Sequence, residues 1–140
     1  MSDIIRQTYI VSADDFSAAG EASAAVKKIL KQLGFSPDII RRVSIAMYEG
    51  EINMVIHAGG GVAEAEITEG KIKIWLKDEG PGIPNVDLAM KEGWSTASDS
   101  VREMGFGAGM GLPNIKKYAD EVEIETEVGK GTTLILTICA

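Results

Sequence analysis

Three polar side chains at four-residue spacing make the segment from 49 to 57 a candidate ligand-binding stripe. Glu49, Asn53 and His57 stand in an otherwise apolar stretch, beside Gly50. On a helix each four-residue step turns the side chain by only about 40°, so the three lie on one side. A polar stripe at the edge of an apolar helix needs either solvent or a ligand. For Asn53 alone, a hydrogen bond to a neighbouring loop is an equally good explanation.

A second candidate site begins with Asp78, at the end of a strand-like run. Gly80 and Gly82 follow it at alternate positions. Glycines let the backbone approach a planar ligand closely, while the carboxylate accepts a hydrogen bond from that ligand. Taken alone, an ordinary turn rich in glycine and proline explains the stretch better.

Alternating glycines form a third candidate site, directly before a predicted helix. Gly105, Gly107, Gly109 and Gly111 precede Leu112. Such a run exposes backbone N–H groups at the positive end of a helix, which suits phosphate, although a flexible surface loop explains it equally well. The run lacks the βαβ setting of the Rossmann fingerprint, and the chain has no P-loop motif.

The first elements that must position these residues are a strand and a helix. A β-branched and aromatic run predicts a strand over about residues 5–11. Apolar periodicity predicts a helix over about residues 14–33, with Ser12 or Asp14 as its N-cap and Gly34 at its end.

The polar stripe falls on a second predicted helix, with Ser36 as N-cap and Pro37 as its first residue. Gly50 is expected where this helix packs closely on a neighbour. Strand pairs are predicted at 62–68 with 71–77 and at 122–126 with 132–138, and a short helix at 112–119. The long region 78–111, with a helical piece near 86–91, is typical of a binding loop or lid. Paired strands imply an α+β two-layer sandwich, whose mixed, mostly antiparallel sheet is covered by helices on one face.

Composition limits the class of protein. The chain has 140 residues, 45% of them hydrophobic, which predicts one domain spanning 1–140. A net charge of −7 argues against nucleic acid or an anionic membrane as the main partner. One cysteine, Cys139, and the absence of a signal-like start or a long apolar segment predict a cytoplasmic protein.

The motifs gain weight as a set, because their order and spacing resemble the ATP-binding signature of the superfamily of DNA gyrase, histidine kinases and MutL. The resemblance covers roughly residues 38–138. The matching elements are the N box, Glu49-x-x-x-Asn53; the first glycine box, Asp78-x-Gly80-x-Gly82; the second, residues 105–112; and the closing Gly131-Thr132.

Two further stretches, residues 93–96 and 109–113, resemble the small serine-protein kinases of bacterial partner-switching systems. That group includes anti-sigma factors and the stressosome switch kinase. The chain is more similar to the switch-kinase type.

The resemblance implies a role for each motif. Asn53 would ligate Mg²⁺, and Glu49 would be the general base for an incoming hydroxyl. Asp78 would accept a hydrogen bond from the adenine amino group, and Thr132 or Thr133 would lie near its carboxylate or near adenine through a bridging water. His57 is expected to be structural. The other residues expected to bind ATP are Gly80, Gly82 and Ile83 around the base, and Gly105, Gly107, Gly109, Met110, Gly111 and Leu112 in a hinged lid over the phosphates.

The function that follows is an ATP- and Mg²⁺-dependent serine/threonine-protein kinase acting on a STAS-type anti-sigma-factor antagonist. One alternative is a non-catalytic, ATP-gated module that binds a sigma factor or other regulator. Another is an ATP hydrolase. The sequence leaves open whether the chain forms a homodimer.

Overall fold

The computed structural model describes residues 4–12, 20–57, 60–80 and 111–140. The predicted helical piece near 86–91 and most of the glycine-rich region lie outside these ranges. So does the predicted N-cap Asp14.

Five strands form one sheet in the order β1-β2-β3-β5-β4, and every neighbouring pair is antiparallel. The prediction of a mostly antiparallel sheet is therefore confirmed, and the described strands include no parallel pair. At one edge, β4 alternates exposed glutamates with half-buried residues. The strands are β1 (Ile5–Ser12), β2 (Gly60–Ile67), β3 (Lys71–Asp78), β4 (Glu121–Glu127) and β5 (Gly131–Cys139).

Three helices are described: α1 (Glu21–Gln32), α2 (Pro37–His57) and α3 (Gly111–Tyr118). They cover one face of the sheet, because strand residues such as Ile72, Ile74 and Leu76 on β3 are buried in a core that also contains helix residues. The intervening β3 residues, such as Lys73, are more exposed. The predicted α+β two-layer architecture is confirmed. Among the described helices, none is both long and apolar enough to span a membrane.

Local signals explain where α2 begins. The Ser36 hydroxyl accepts a hydrogen bond from the Ile39 N–H at 3.3 Å, and the Ser36 carbonyl accepts one from the Ile40 N–H at 3.0 Å. Pro37 occupies the first helical position, as predicted.

The start of α1 differs from the prediction. The helix begins at Glu21, and the residue before it, Gly20, has a φ of 99°. A helix running unbroken from residue 14 to 33 is therefore wrong, because this left-handed conformation interrupts it. Gly20 also has no side chain with which to cap the exposed N–H groups of the first turn.

The cap comes from α2. The Glu51 carboxylate accepts hydrogen bonds from the N–H groups of Gly20 at 2.9 Å, Ala22 at 3.2 Å and Ser23 at 3.0 Å, and from the Ser23 hydroxyl at 3.0 Å. Glu51 is only 2% exposed. Within the described residues no lysine or arginine pairs with it, so the positive end of α1 balances its charge.

Gly50 lies where α2 meets the sheet and α3. A Cβ atom added to Gly50 would collide with the Leu76 side chain and would lie 3.8 Å from Cδ1 of Ile115. The expectation that this glycine permits close packing is confirmed. The close packing of α2 on β3 and α3 compensates for the low helix propensity of glycine.

Replacing Glu51, which caps the N-terminus of α1 from α2, should destabilise the protein far more than replacing Glu21, an exposed acid in the first turn of α1. Glu51→Ala leaves three backbone N–H groups without their acceptor, so we expect the free energy of unfolding to fall by roughly 2–4 kcal/mol. Glu21→Ala, in the exposed first turn of α1, should cost less than about 1 kcal/mol. Urea unfolding monitored by circular dichroism measures both. Equal losses for the two variants would refute the capping role.

Candidate functional site

The polar stripe of α2 lies beside the packed side of the helix. Glu49 and Asn53 are half-buried, whereas Met47, Gly50 and Met54 are buried. No described residue is hydrogen-bonded to the Asn53 carboxamide, so its oxygen is free to act as a ligand. The side chain of His57 lies outside the described part of the chain. The helix therefore presents a carboxylate and a carboxamide one turn apart.

Glu49 contacts α3. The Asn114 amide donates a hydrogen bond to Oε1 of Glu49 at 3.4 Å. Burial raises the pKa of Glu49, and the hydrogen bond from Asn114 opposes that shift without cancelling it. A half-buried carboxylate with a raised pKa is a stronger base than an exposed glutamate, so this group suits proton acceptance.

Asp78 closes the end of β3 against β5. Its Oδ1 accepts hydrogen bonds from the Gly80 N–H at 3.0 Å and the Thr132 N–H at 3.1 Å, and Asp78 pairs with Thr132 in the strand register. The structure thus brings together three residues expected to bind the base. No described group is bonded to Oδ2, so this oxygen can accept a hydrogen bond from a ligand.

The β4–β5 turn completes the surroundings of Asp78. Gly131 has a φ of 136°, and a Cβ atom there would lie 2.9 Å from Cα of Glu79, so only glycine fits this approach. The hydroxyls of Thr126 and Thr132 are 2.9 Å apart and share a hydrogen bond. An open cavity of about 330 Å³ is lined by Asp78, both threonines and neighbouring residues of this turn.

The remaining predicted site residues are less completely described. Gly111 and Leu112 are the first residues of α3, and nothing is described of the Leu112 side chain. Gly82, Ile83, Gly105, Gly107, Gly109 and Met110 lie outside the described residues.

Sequence reasoning missed three residues that the structure connects to the site. Glu51 fixes α1 against α2, Asn114 contacts Glu49, and Thr126 contacts Thr132. No local pattern identifies Glu51 or Thr126, since their partners come from other elements. Asn114 had a weak signal, because it follows the second glycine box in the first turn of a helix.

The chain belongs to the family of histidine kinase-like ATPase domains, whose model matches residues 12–138. It is 33% identical over 112 residues to the serine/threonine-protein kinase RsbT of Bacillus subtilis, covering 77% of this chain and 78% of that one. It is 31% identical over 131 residues to the anti-sigma F factor of Geobacillus stearothermophilus, covering 86% of each. The predicted family is confirmed, and the predicted enzyme class agrees with the name of the first relative.

Solved structures support the same fold. The RsbU and RsbW domains of Rv1364c from Mycobacterium tuberculosis match with a TM-score of 0.65 at 19% identity, covering 96% of this chain and 32% of that one. The SiaB–SiaC complex from Pseudomonas aeruginosa matches with a TM-score of 0.58 at 16% identity, covering 94% and 88%.

The donor set fits ATP with a metal ion held mainly by phosphates. Within the described ranges, no cluster of three or more acidic, histidine or cysteine side chains could form an all-protein metal cage. Mg²⁺ does not need one, because it usually keeps waters and phosphate oxygens beside one or two protein ligands. The two described hydrogen bonds of the Asp78 carboxylate both reach Oδ1, so Oδ2 suits the amino group of a nucleotide base.

Proposed function

We propose that this chain, as one domain spanning 1–140, is an ATP- and Mg²⁺-dependent serine/threonine-protein kinase of a bacterial partner-switching system. Its protein substrate is a STAS-type anti-sigma-factor antagonist. The observation that carries the proposal is Glu49, a half-buried carboxylate with a raised pKa, one helical turn before Asn53. An ATP-binding module without catalysis has no need of such a base.

In the proposed reaction, the hydroxyl oxygen of a substrate serine or threonine forms a bond to the γ-phosphorus of ATP. The bond from that phosphorus to the β,γ-bridging oxygen breaks, and ADP leaves. Glu49 accepts the hydroxyl proton. Asn53 would hold Mg²⁺, which supplies charge neutralisation at the phosphates.

The adenine ring of ATP is proposed to lie against Asp78. Its Oδ1 is held by two backbone N–H groups, so Oδ2 has a fixed direction in which to accept the adenine amino group. Gly80 and Thr132, whose N–H groups hold Asp78, are proposed to form the edge of the adenine pocket, and Gly82 and Ile83 are proposed to continue it. Gly105, Gly107, Gly109, Met110, Gly111 and Leu112 are proposed to cover the phosphates, since backbone N–H groups before a helix suit an anion.

A second function is favoured by the anti-sigma F factor relatives, which match over 86% of the chain in the case of Geobacillus stearothermophilus. The chain could bind a sigma factor directly and use ATP to set its conformation. Affinity capture from the native cell, followed by mass spectrometry of partners and their phosphosites, separates the two. Recovery of a sigma factor with no phosphorylated antagonist would favour the binding module.

Glu49→Gln should retain ATP binding but transfer phosphate at least about a hundredfold more slowly, because the proton acceptor is lost. Radiolabelled ATP and the captured antagonist measure transfer, and calorimetry measures binding. In the unmodified protein, the rate should rise with pH through the raised pKa of Glu49, since only the ionised carboxylate accepts a proton. Glu21→Gln is the matched exposed control. Undiminished transfer by Glu49→Gln would remove this residue from the mechanism.

Asn53→Ala should lose the part of nucleotide affinity that depends on magnesium, because its oxygen is the proposed protein ligand of the ion. Calorimetric titration with ATP, with Mg²⁺ and with a chelator, gives this part for each protein. We expect the unmodified chain to bind ATP about tenfold or more tightly with Mg²⁺. If the unmodified chain binds ATP equally well in both conditions, the metal role is refuted.

Asp78→Asn should reduce the preference for ATP over GTP. The carboxylate accepts from the adenine amino group and repels the guanine carbonyl, whereas an amide can donate to that carbonyl. We expect ATP affinity to fall by about tenfold or more, with a smaller change for GTP. Competition binding measures the ratio. Asp38→Asn, at an exposed position in the first turn of α2, is the control and should leave the ratio unchanged.

A further inference from the structure

Asn114 is the described residue that connects α3 to the carboxylate of Glu49. Its amide nitrogen lies 3.4 Å from Oε1 of Glu49, and 65 positions of sequence separate the two residues. Asn114 is half-buried, as Glu49 is. A contact between two such groups loses less to competition from water than a contact on the surface does.

Packing between Gly50 and Ile115, the residues that follow Glu49 and Asn114, holds this contact in place. Ile115 is fully buried and lies against the position of Gly50, so α3 cannot slide along α2 without losing that fit. At the other end of α3, Arg42 on α2 donates a hydrogen bond to the Tyr118 carbonyl at 3.1 Å and forms an ion pair with Asp120, also at 3.1 Å. The middle of α3 and its C-terminal end are therefore both tied to α2, and Asn114 is held opposite Glu49.

The chemistry of a carboxamide suits this position. A lysine or arginine would form an ion pair with Glu49 and weaken it strongly as a base. An apolar residue would leave the half-buried carboxylate without this donor and favour its protonated form. A neutral N–H donor stabilises the ionised form moderately and fixes one of the two oxygens, which leaves the other oxygen for a reacting hydroxyl.

We propose that Asn114 is a positioning residue for Glu49, which binds Oε1 so that Oε2 faces the substrate hydroxyl. This inference rests on the proposed function of Glu49 as general base. Asn114 itself makes no contact with the reacting atoms in this scheme. Its effect is to favour the ionised form of the base, against the effect of burial, and to fix the direction of its carboxylate.

The test compares Asn114→Ala, Asn114→Gln and the exposed control Lys116→Ala on the same helix. Asn114→Ala should lower kcat for phosphate transfer at neutral pH by about threefold to tenfold, with little change in KM for ATP. The acidic limb of its pH–rate profile should move to higher pH. The lost hydrogen bond lowers the pKa of Glu49, so without it burial raises that pKa further. Asn114→Gln keeps the donor and should restore the limb at least in part. Lys116→Ala should match the unmodified chain.

A carboxyl NMR titration of Glu49 provides a readout that does not need activity, and urea unfolding checks that each variant is folded. If Asn114→Ala leaves both the titration and the rate profile unchanged while Glu49→Gln abolishes transfer, the positioning role is overturned and the proposed function stands. If Glu49→Gln transfers phosphate normally, the proposed function fails and this inference fails with it.

Discussion

The arrangement of α1 and α2 depends on the hydrogen bonds that the buried carboxylate of Glu51 accepts. It accepts four hydrogen bonds from the first turn of α1, whose own N-cap is a glycine. Residues two positions away on a helix point about 200° around its axis. Fixing Glu51 against α1 therefore turns Glu49 and Asn53 to the opposite side of α2. One structural acid between two proposed functional residues sets the direction in which both of them face.

Close packing on the other side of α2 completes this arrangement. Gly50 has no side chain, so α2 can lie directly against Leu76. Ile115 of α3 packs beside Gly50. The same approach brings Asn114 to Glu49. At the end of β3, backbone N–H groups fix the Asp78 carboxylate in a comparable way. In both places a carboxylate is oriented by neutral donors, which leaves an oxygen for another partner.

Sequence reasoning succeeded where the determining signals are local. Strand-like runs in adjacent pairs predicted the mostly antiparallel sheet, and Ser36 with Pro37 predicted the start of α2. The motif set predicted the family, because its spacing is specific as a whole. The start of α1 was wrong because its cap comes from a residue about 30 positions later, and nothing near Gly20 encodes that. Asn114 was missed because its weak local signal, a place just after the second glycine box, does not reveal its contact with Glu49 on another helix.

The row of exposed glutamates along β4 has a consequence for how this sheet can be extended. Glu121, Glu123 and Glu125 occupy every second position of β4, so they lie on the same face of this edge strand. A second β4 from another copy of the chain would bring its own glutamates onto that face, close to these, and like charges at such distances repel. Edge-to-edge growth of the sheet into fibrils is therefore disfavoured on this side by the protein's own sequence.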